Sequence, residues 1–101
     1  MNLSEVKKVK VGSNTIPVKI TIRGMIEYNK MSNESVPTFD STEKIIQFFY
    51  CTAKAGAKAE GTEFEYTFDG FLDLIDDYYL EAVTNFSQAI FEPGGDGKKR
   101  K

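Results

Sequence analysis

The chain has 101 residues, room for one domain with a core of moderate size. Apolar residues make up 41% of it, and eight Phe and five Tyr give it the composition of a globular protein. With a net charge of −2, no histidine and a single cysteine, it lacks the commonest general base and the commonest transition-metal ligand, and it can form no internal disulfide.

No apolar run approaches the ~18 residues of a membrane span, and the first residues have no secretory apolar core. Together with the lone cysteine, this fits a reducing cytoplasm. Charge is laid out in blocks. Residues 1–58 carry nine basic and five acidic side chains, residues 59–97 carry ten acidic and no basic ones, and Lys98–Lys101 adds four basic ones. Such asymmetry suits head-to-tail self-association or a charged partner, set against the plainer reading of two solvated faces.

Val6–Val11 alternates Val and Lys with one slip, as a half-exposed strand does. Gly12-Ser13-Asn14 is turn chemistry, and Thr15–Thr21 reads as a second strand with Ile16, Val18 and Ile20 on one face. Pro17 lacks a ladder donor, which predicts an exposed edge there. Thr21 then caps a predicted helix over Ile22–Met31, with Ile22, Met25, Ile26 and Asn29 on one face and Tyr28 adjacent. Gly24 weakens that helix by about 1 kcal/mol relative to Ala, so close packing is the expected reason for it. Ser32–Pro37 is a predicted loop, and Phe39 is placed to staple the start of the next helix.

That next helix, Ser41–Ala55, is the predicted centre of the fold. Ser41 or Thr42 supplies the cap and Glu43 a first-turn carboxylate. Ile45, Ile46, Phe48, Phe49, Tyr50 and Ala53 cover most of its circumference, leaving Lys44, Gln47, Cys51, Lys54 and Lys58 as a narrow polar stripe. A helix with that much apolar surface must be wrapped by other elements. Gly56–Gly61 reads as a connector and Phe64–Phe68 as an extended piece. From a Thr67 cap onward, Phe68, Phe71, Leu72, Ile75, Tyr79, Ala82, Val83, Phe86 and Ile90 keep the helical period. The spacing allows one long helix or two with a break near Asp77-Tyr78. Pro93-Gly94-Gly95 ends the predicted domain, which spans 1–92, and 93–101 is an expected disordered basic tail.

The fold class expected is therefore α+β, mainly α: a hairpin over 6–21 followed by three to four packed helices at about 22–31, 42–55 and 68–91. Candidate chemistry is sparse. Asp69, Asp73, Asp76 and Asp77 stack carboxylates on one helix face, but no Asp-rich calcium loop surrounds them, so a solvated acidic face is the reading preferred. Cys51 has no histidine to activate it and reads as a small residue at the edge of the core. The Gly94–Gly97 cluster follows a helix instead of opening one, so it is no phosphate loop. Lys7, Lys8, Lys10, Lys19 and Arg23 are the residues by which a basic hairpin would meet nucleic acid. No catalytic, cofactor or metal residue is proposed.

Two stretches carry a resemblance. Thr21–Ser35, TIRGMIEYNKMSNES, follows the strand-to-helix pattern of the small tail assembly chaperones of long-tailed bacteriophages and prophages of Gram-positive hosts. Asn29 stands where that family usually has Glu. Phe68, Phe71, Leu72, Asp73, Ile75 and Asp76 match a later aromatic–acidic motif, and the likeness covers roughly residues 15–90. The resemblance implies a non-enzymatic protein of the host cytoplasm, absent from the mature virion. Such a protein binds the tape-measure protein and recruits tail-tube subunits, with no cofactor and no membrane; the homo-oligomer expected beside it follows from the charge asymmetry. Tyr28, Met31, Phe64, Tyr66, Tyr78, Tyr79 and Phe91 are the candidate partner contacts, so far as they are exposed. The resemblance also implies a longer product made by −1 frameshifting, for which the codons of Gly97–Lys101 would supply the slippery purine run. The alternatives are a small DNA-binding regulator using the basic hairpin and an unrelated helical adaptor.

Overall fold

The computed structural model describes residues 5–91, and there the chain is an α+β fold dominated by helix. Strands β1 (Lys7–Val11) and β2 (Asn14–Val18) pair antiparallel, with Val11 opposite Asn14, Val9 opposite Ile16 and Lys7 opposite Val18. Gly12 turns the chain at φ 61°, the left-handed conformation that two-residue hairpin loops need. The period of two buries Val9, Val11, Ile16 and Val18 and leaves Lys8 and Lys10 in solvent.

The hairpin is shorter than the 6–21 expected, because the chain leaves the ladder for the central helix. The Lys19 N–H donates to the Thr52 carbonyl at 3.0 Å. The edge at Pro17 is not exposed either. Pro17 faces Lys8 at a position where, counting from the turn, the backbone nitrogen points away from β1, so its missing donor costs the ladder nothing. Its carbonyl lies against Gly56 of the central helix, where an added Cβ would stand 2.3 Å from the oxygen.

Helix α1 (Ile22–Ser32) starts at Thr21, whose Oγ1 accepts from the Gly24 N–H at 2.9 Å, and stops at Asn33 with φ 60°. Its buried face is not the one expected. Gly24 and Tyr28 turn inward, while Ile22 is 80% and Ile26 50% exposed. Gly24 does lie against α2: a Cβ added there would stand at ordinary contact distance, 3.5 Å, from the Cys51 carbonyl oxygen, and 3.1 Å from the Thr21 cap oxygen.

Helix α2 (Thr42–Ala59) is the element that the others wrap. Ser41 caps it, accepting from the Lys44 N–H at 3.3 Å, and nine of its 18 residues are buried. The predicted polar stripe is half covered, since Gln47 and Cys51 lie buried, on the side where Met31 of α1 packs. The helix also runs through Gly56 instead of ending at 55, because that glycine is a contact point with β2 and not a connector. Phe49 stacks on Phe86 with centroids 4.5 Å apart and meets Phe71 edge-on at 5.1 Å. Phe39 does pin the approach to α2, against Tyr28, Phe48 and Phe91. It holds φ 53° to do so, a strain of about 1–3 kcal/mol offset by the aromatic contacts.

The C-terminal run is broken, the second of the two alternatives. Helix α3 (Phe68–Ile75), capped by Thr67, passes through a 3-10 turn at Asp76–Tyr78 into α4 (Tyr79–Phe91). The tightened turn brings Tyr78 over Gly12 and lets Glu81 accept from the Gly12 N–H at 2.9 Å, tying the hairpin tip to α4. Residues 62–67 have no regular structure, and the Tyr50 hydroxyl donates to the Tyr66 carbonyl at 2.9 Å. The expected tail at 93–101 and its frameshift run lie outside the described residues.

The loop between α1 and α2 is held by charge. Lys44 reaches Glu34 at 2.6 Å and Asp40 at 2.9 Å, and the Thr38 hydroxyl donates to Glu34 at 2.8 Å. The Lys44 ammonium, then Thr38 for Glu34, hold both carboxyls below their ordinary range, and the two carboxylates hold the ammonium above its own. Carboxyls lowered by folding stabilise above their unfolded values and lose that contribution as pH falls through the folded ones. The melting-temperature difference between the wild type and Lys44→Met should therefore shrink on acidification below the carboxyl range. A difference independent of pH would show that the pairs do nothing for the loop.

Candidate functional site

Asp69, Asp73, Asp76 and Asp77 all face solvent, and among the described residues no group of three or more His, Cys, Asp or Glu side chains could hold a metal ion. Cys51 lies in the core with its Sγ 3.6 Å from the Met31 Sδ. Burial, and after it the Glu27 carboxylate, pushes its thiol up to about 12 against a smaller opposing effect of Lys54. It should stay unmodified by a disulfide reagent at pH 8 in the folded protein and react only on unfolding. Rapid native labelling would place the thiol at the surface.

The basic residues of the hairpin do not form an isolated patch. Lys8 pairs with Glu60 at 2.7 Å, and the turn abuts Tyr78 and Glu81 at the acidic end of the molecule. Lys54 is paired with Glu27 at 3.0 Å across a cleft of about 460 Å³ between α1 and α2, which Arg23 and Lys58 also line.

The seven aromatic and Met candidates separate into three groups. Tyr28 is fully buried, in ring contact with Phe39 and Phe48, and cannot be a partner contact in this fold. It sits one turn from Gly24 on the side of α1 that faces α2. Met31 and Phe64 are half-buried, Met31 over Cys51 and Phe64 among Tyr50, Tyr66 and Phe71. Tyr66, Tyr78, Tyr79 and Phe91 are exposed. Of these, Tyr79 donates to the Thr42 hydroxyl at 3.2 Å, and Phe91 packs one face on Phe39.

The structure also exposes large aliphatic side chains that the helical period misassigned or passed over. Ile22 and Ile26 project from α1, Val36 from the loop, and Leu80, 74% exposed, from the start of α4. Two surfaces result. On α1, Ile22 and Ile26 share a shallow depression with Arg23, Glu27 and Lys30. On the other side, Asp73, Asp76, Asp77 and Leu80 fall at i, i+3, i+4 and i+7 of a nearly continuous helical path, with Tyr78 and Tyr79 beside them. The glycine was the available signal for the first surface. A helix that must bury Gly24 and Tyr28 cannot also bury Ile22 and Ile26, which lie about 100° or more away on the wheel from at least one of that pair.

Among the described residues no helix is long and apolar enough to cross a membrane. Comparison of the chain with family models, with curated proteins and with solved structures gives no match.

Proposed function

We propose that this chain is a non-enzymatic bacteriophage tail assembly chaperone of the host cytoplasm. In this reading it binds the tape-measure protein and recruits tail-tube subunits, and it is left out of the finished virion. The observation that supports it best is the surface: among the described residues eight large apolar side chains are exposed, Ile22, Leu80 and Val36 most of all. Exposed apolar groups set among charges are the equipment of a protein that covers another chain's apolar segments. Within Thr21–Ser35, Thr21 is the cap of α1 and Tyr28 is packed against α2, and Asn29, the departure from the family pattern, donates through Nδ2 to the Glu34 carbonyl at 2.7 Å; Ile22 and Ile26 of the same stretch are exposed and available to a partner.

The rival reading, DNA binding through the hairpin, has the Lys8–Glu60 pair and the neighbouring Glu81 against it. The two separate in one titration. Labelled apolar helical segments of a phage tape-measure protein should bind the purified chain, and Tyr66→Ala, Tyr78→Ala and Leu80→Ala should each weaken binding severalfold. Absence of binding by every segment, with duplex DNA bound instead along a steep salt dependence, would replace this reading with the rival.

A further inference from the structure

We infer that the loop 33–41 is a displaceable strap lying in a binding site of its own domain, a site that takes a partner segment with an aromatic residue followed by a carboxylate. The site has two parts. Tyr28 from α1, Phe48 from α2 and Phe91 from α4 form an aromatic cup, and the Phe39 ring sits in it at centroid distances of 5.5, 4.9 and 5.0 Å. One turn before Phe48 on the same face of α2, Lys44 meets the Asp40 carboxylate at 2.9 Å. Glu34, also on Lys44 at 2.6 Å, holds the ammonium in place. Phe39 and Asp40 are neighbours in the chain, so an aromatic–acidic pair is what the site already holds.

The strap is loosely made. Phe39 holds φ 53°, a left-handed backbone that a bulky side chain avoids. Strain of that kind lowers occupancy by about five- to a hundredfold against the same side chains on a relaxed backbone. Among the described residues no backbone–backbone hydrogen bond involves Ser35–Asp40, and Val36 stands 73% exposed. Asp40 is exposed as well, and ion pairs at the surface add little. What favours the strap is its tether, an effective concentration on the order of millimolar. A separate segment needs no left-handed residue to place the same two groups, and that difference lets it compete. Lys44 supplies the charge complementarity for its carboxylate, and the cup has the shape of a phenyl ring because one fills it. The site lies apart from the Tyr66, Tyr78 and Leu80 contacts and is probed without any tape-measure segment, so this inference and the proposed function can fail separately.

Titration calorimetry on the full chain tests it, with a synthetic peptide of the strap's own sequence, Ser35–Ser41, as the probe. The wild type should bind the peptide weakly, with a Kd on the order of millimolar, since its own strap competes. Phe39→Gly empties the cup and relaxes the backbone, and should bind the peptide at least about tenfold more tightly. Carried in the peptide instead, Phe39→Ala should abolish binding and Asp40→Asn should weaken it severalfold. A second measurement follows the strap itself. A fluorophore attached to Val36→Cys labels the loop alone, because Cys51 is buried, and its anisotropy should fall as the peptide displaces the strap. This second measurement decides the matter if Phe39→Gly does not fold. A folded Phe39→Gly that binds the peptide no better than the wild type would overturn the inference. So would a peptide with Phe39→Ala that binds as well as its parent, or a label whose anisotropy stays constant at several millimolar peptide.

Discussion

Gly56→Ala is expected to destabilise the domain by about 3 kcal/mol or more, the upper end of what overpacking costs, although the residue sits inside a helix where alanine is intrinsically better. The intrinsic preference returns only about 1 kcal/mol. Against it, the new methyl would lie 2.3 Å from the Pro17 carbonyl oxygen, 2.5 Å from its carbon and 2.7 Å from the Val18 nitrogen. These are backbone atoms of a paired strand. No rotamer change moves them, so the hairpin and α2 must separate. Gly70→Ala is the control, since its methyl would meet nothing closer than 3.4 Å and should be neutral or slightly stabilising. Chemical denaturation of both variants measures the contrast, and equal stabilities would mean that β2 does not rest on α2 at Gly56.

Phe49→Ala is the second large effect, with an expected loss of about 3–5 kcal/mol. The ring is fully buried, stacked on Phe86 from α4 and met edge-on by Phe71 from α3. Removing it empties the point where three helices meet, and no neighbour can rotate in without breaking another aromatic contact. A small domain is stable by only about 5–15 kcal/mol in total, so the variant should melt far below the wild type or fail to fold. A wild-type melting curve would show that α2 does not hold the centre of the fold.

These two residues also mark what could and could not be read from the chain. Phe49 was legible because burial of a near-continuous apolar surface is the one solution for such a helix. The side-chain caps Thr21 and Thr67 were legible because each hydroxyl directly precedes an apolar helical period, and the third was narrowed to Ser41 or Thr42, of which Ser41 is the cap. Gly56 was misread as a connector because a glycine that ends a helix and one that admits a neighbouring backbone look alike until the neighbour is known. Ile22 and Ile26 were misplaced for a related reason. Their hydrophobicity argues for burial, but the side of α1 that meets α2 is the one that carries Gly24 and Tyr28, and which side meets a neighbour is not a property of one segment. Tyr28 moved from candidate contact to core by the same rotation. The acidic surface at Asp73, Asp76 and Asp77 was visible as charge, while Leu80 was hidden because it lies just off the apolar stripe that continues through Tyr79, Ala82 and Val83.

Coexpression with a tape-measure protein of a long-tailed phage tests the proposed role most directly. The tape-measure protein should be insoluble when made alone. Made together with this chain it should remain in the soluble fraction and copurify with several copies of the chain per molecule. Precipitation of the tape-measure protein at the same level as when made alone, with this chain soluble and folded beside it, would contradict a chaperone role.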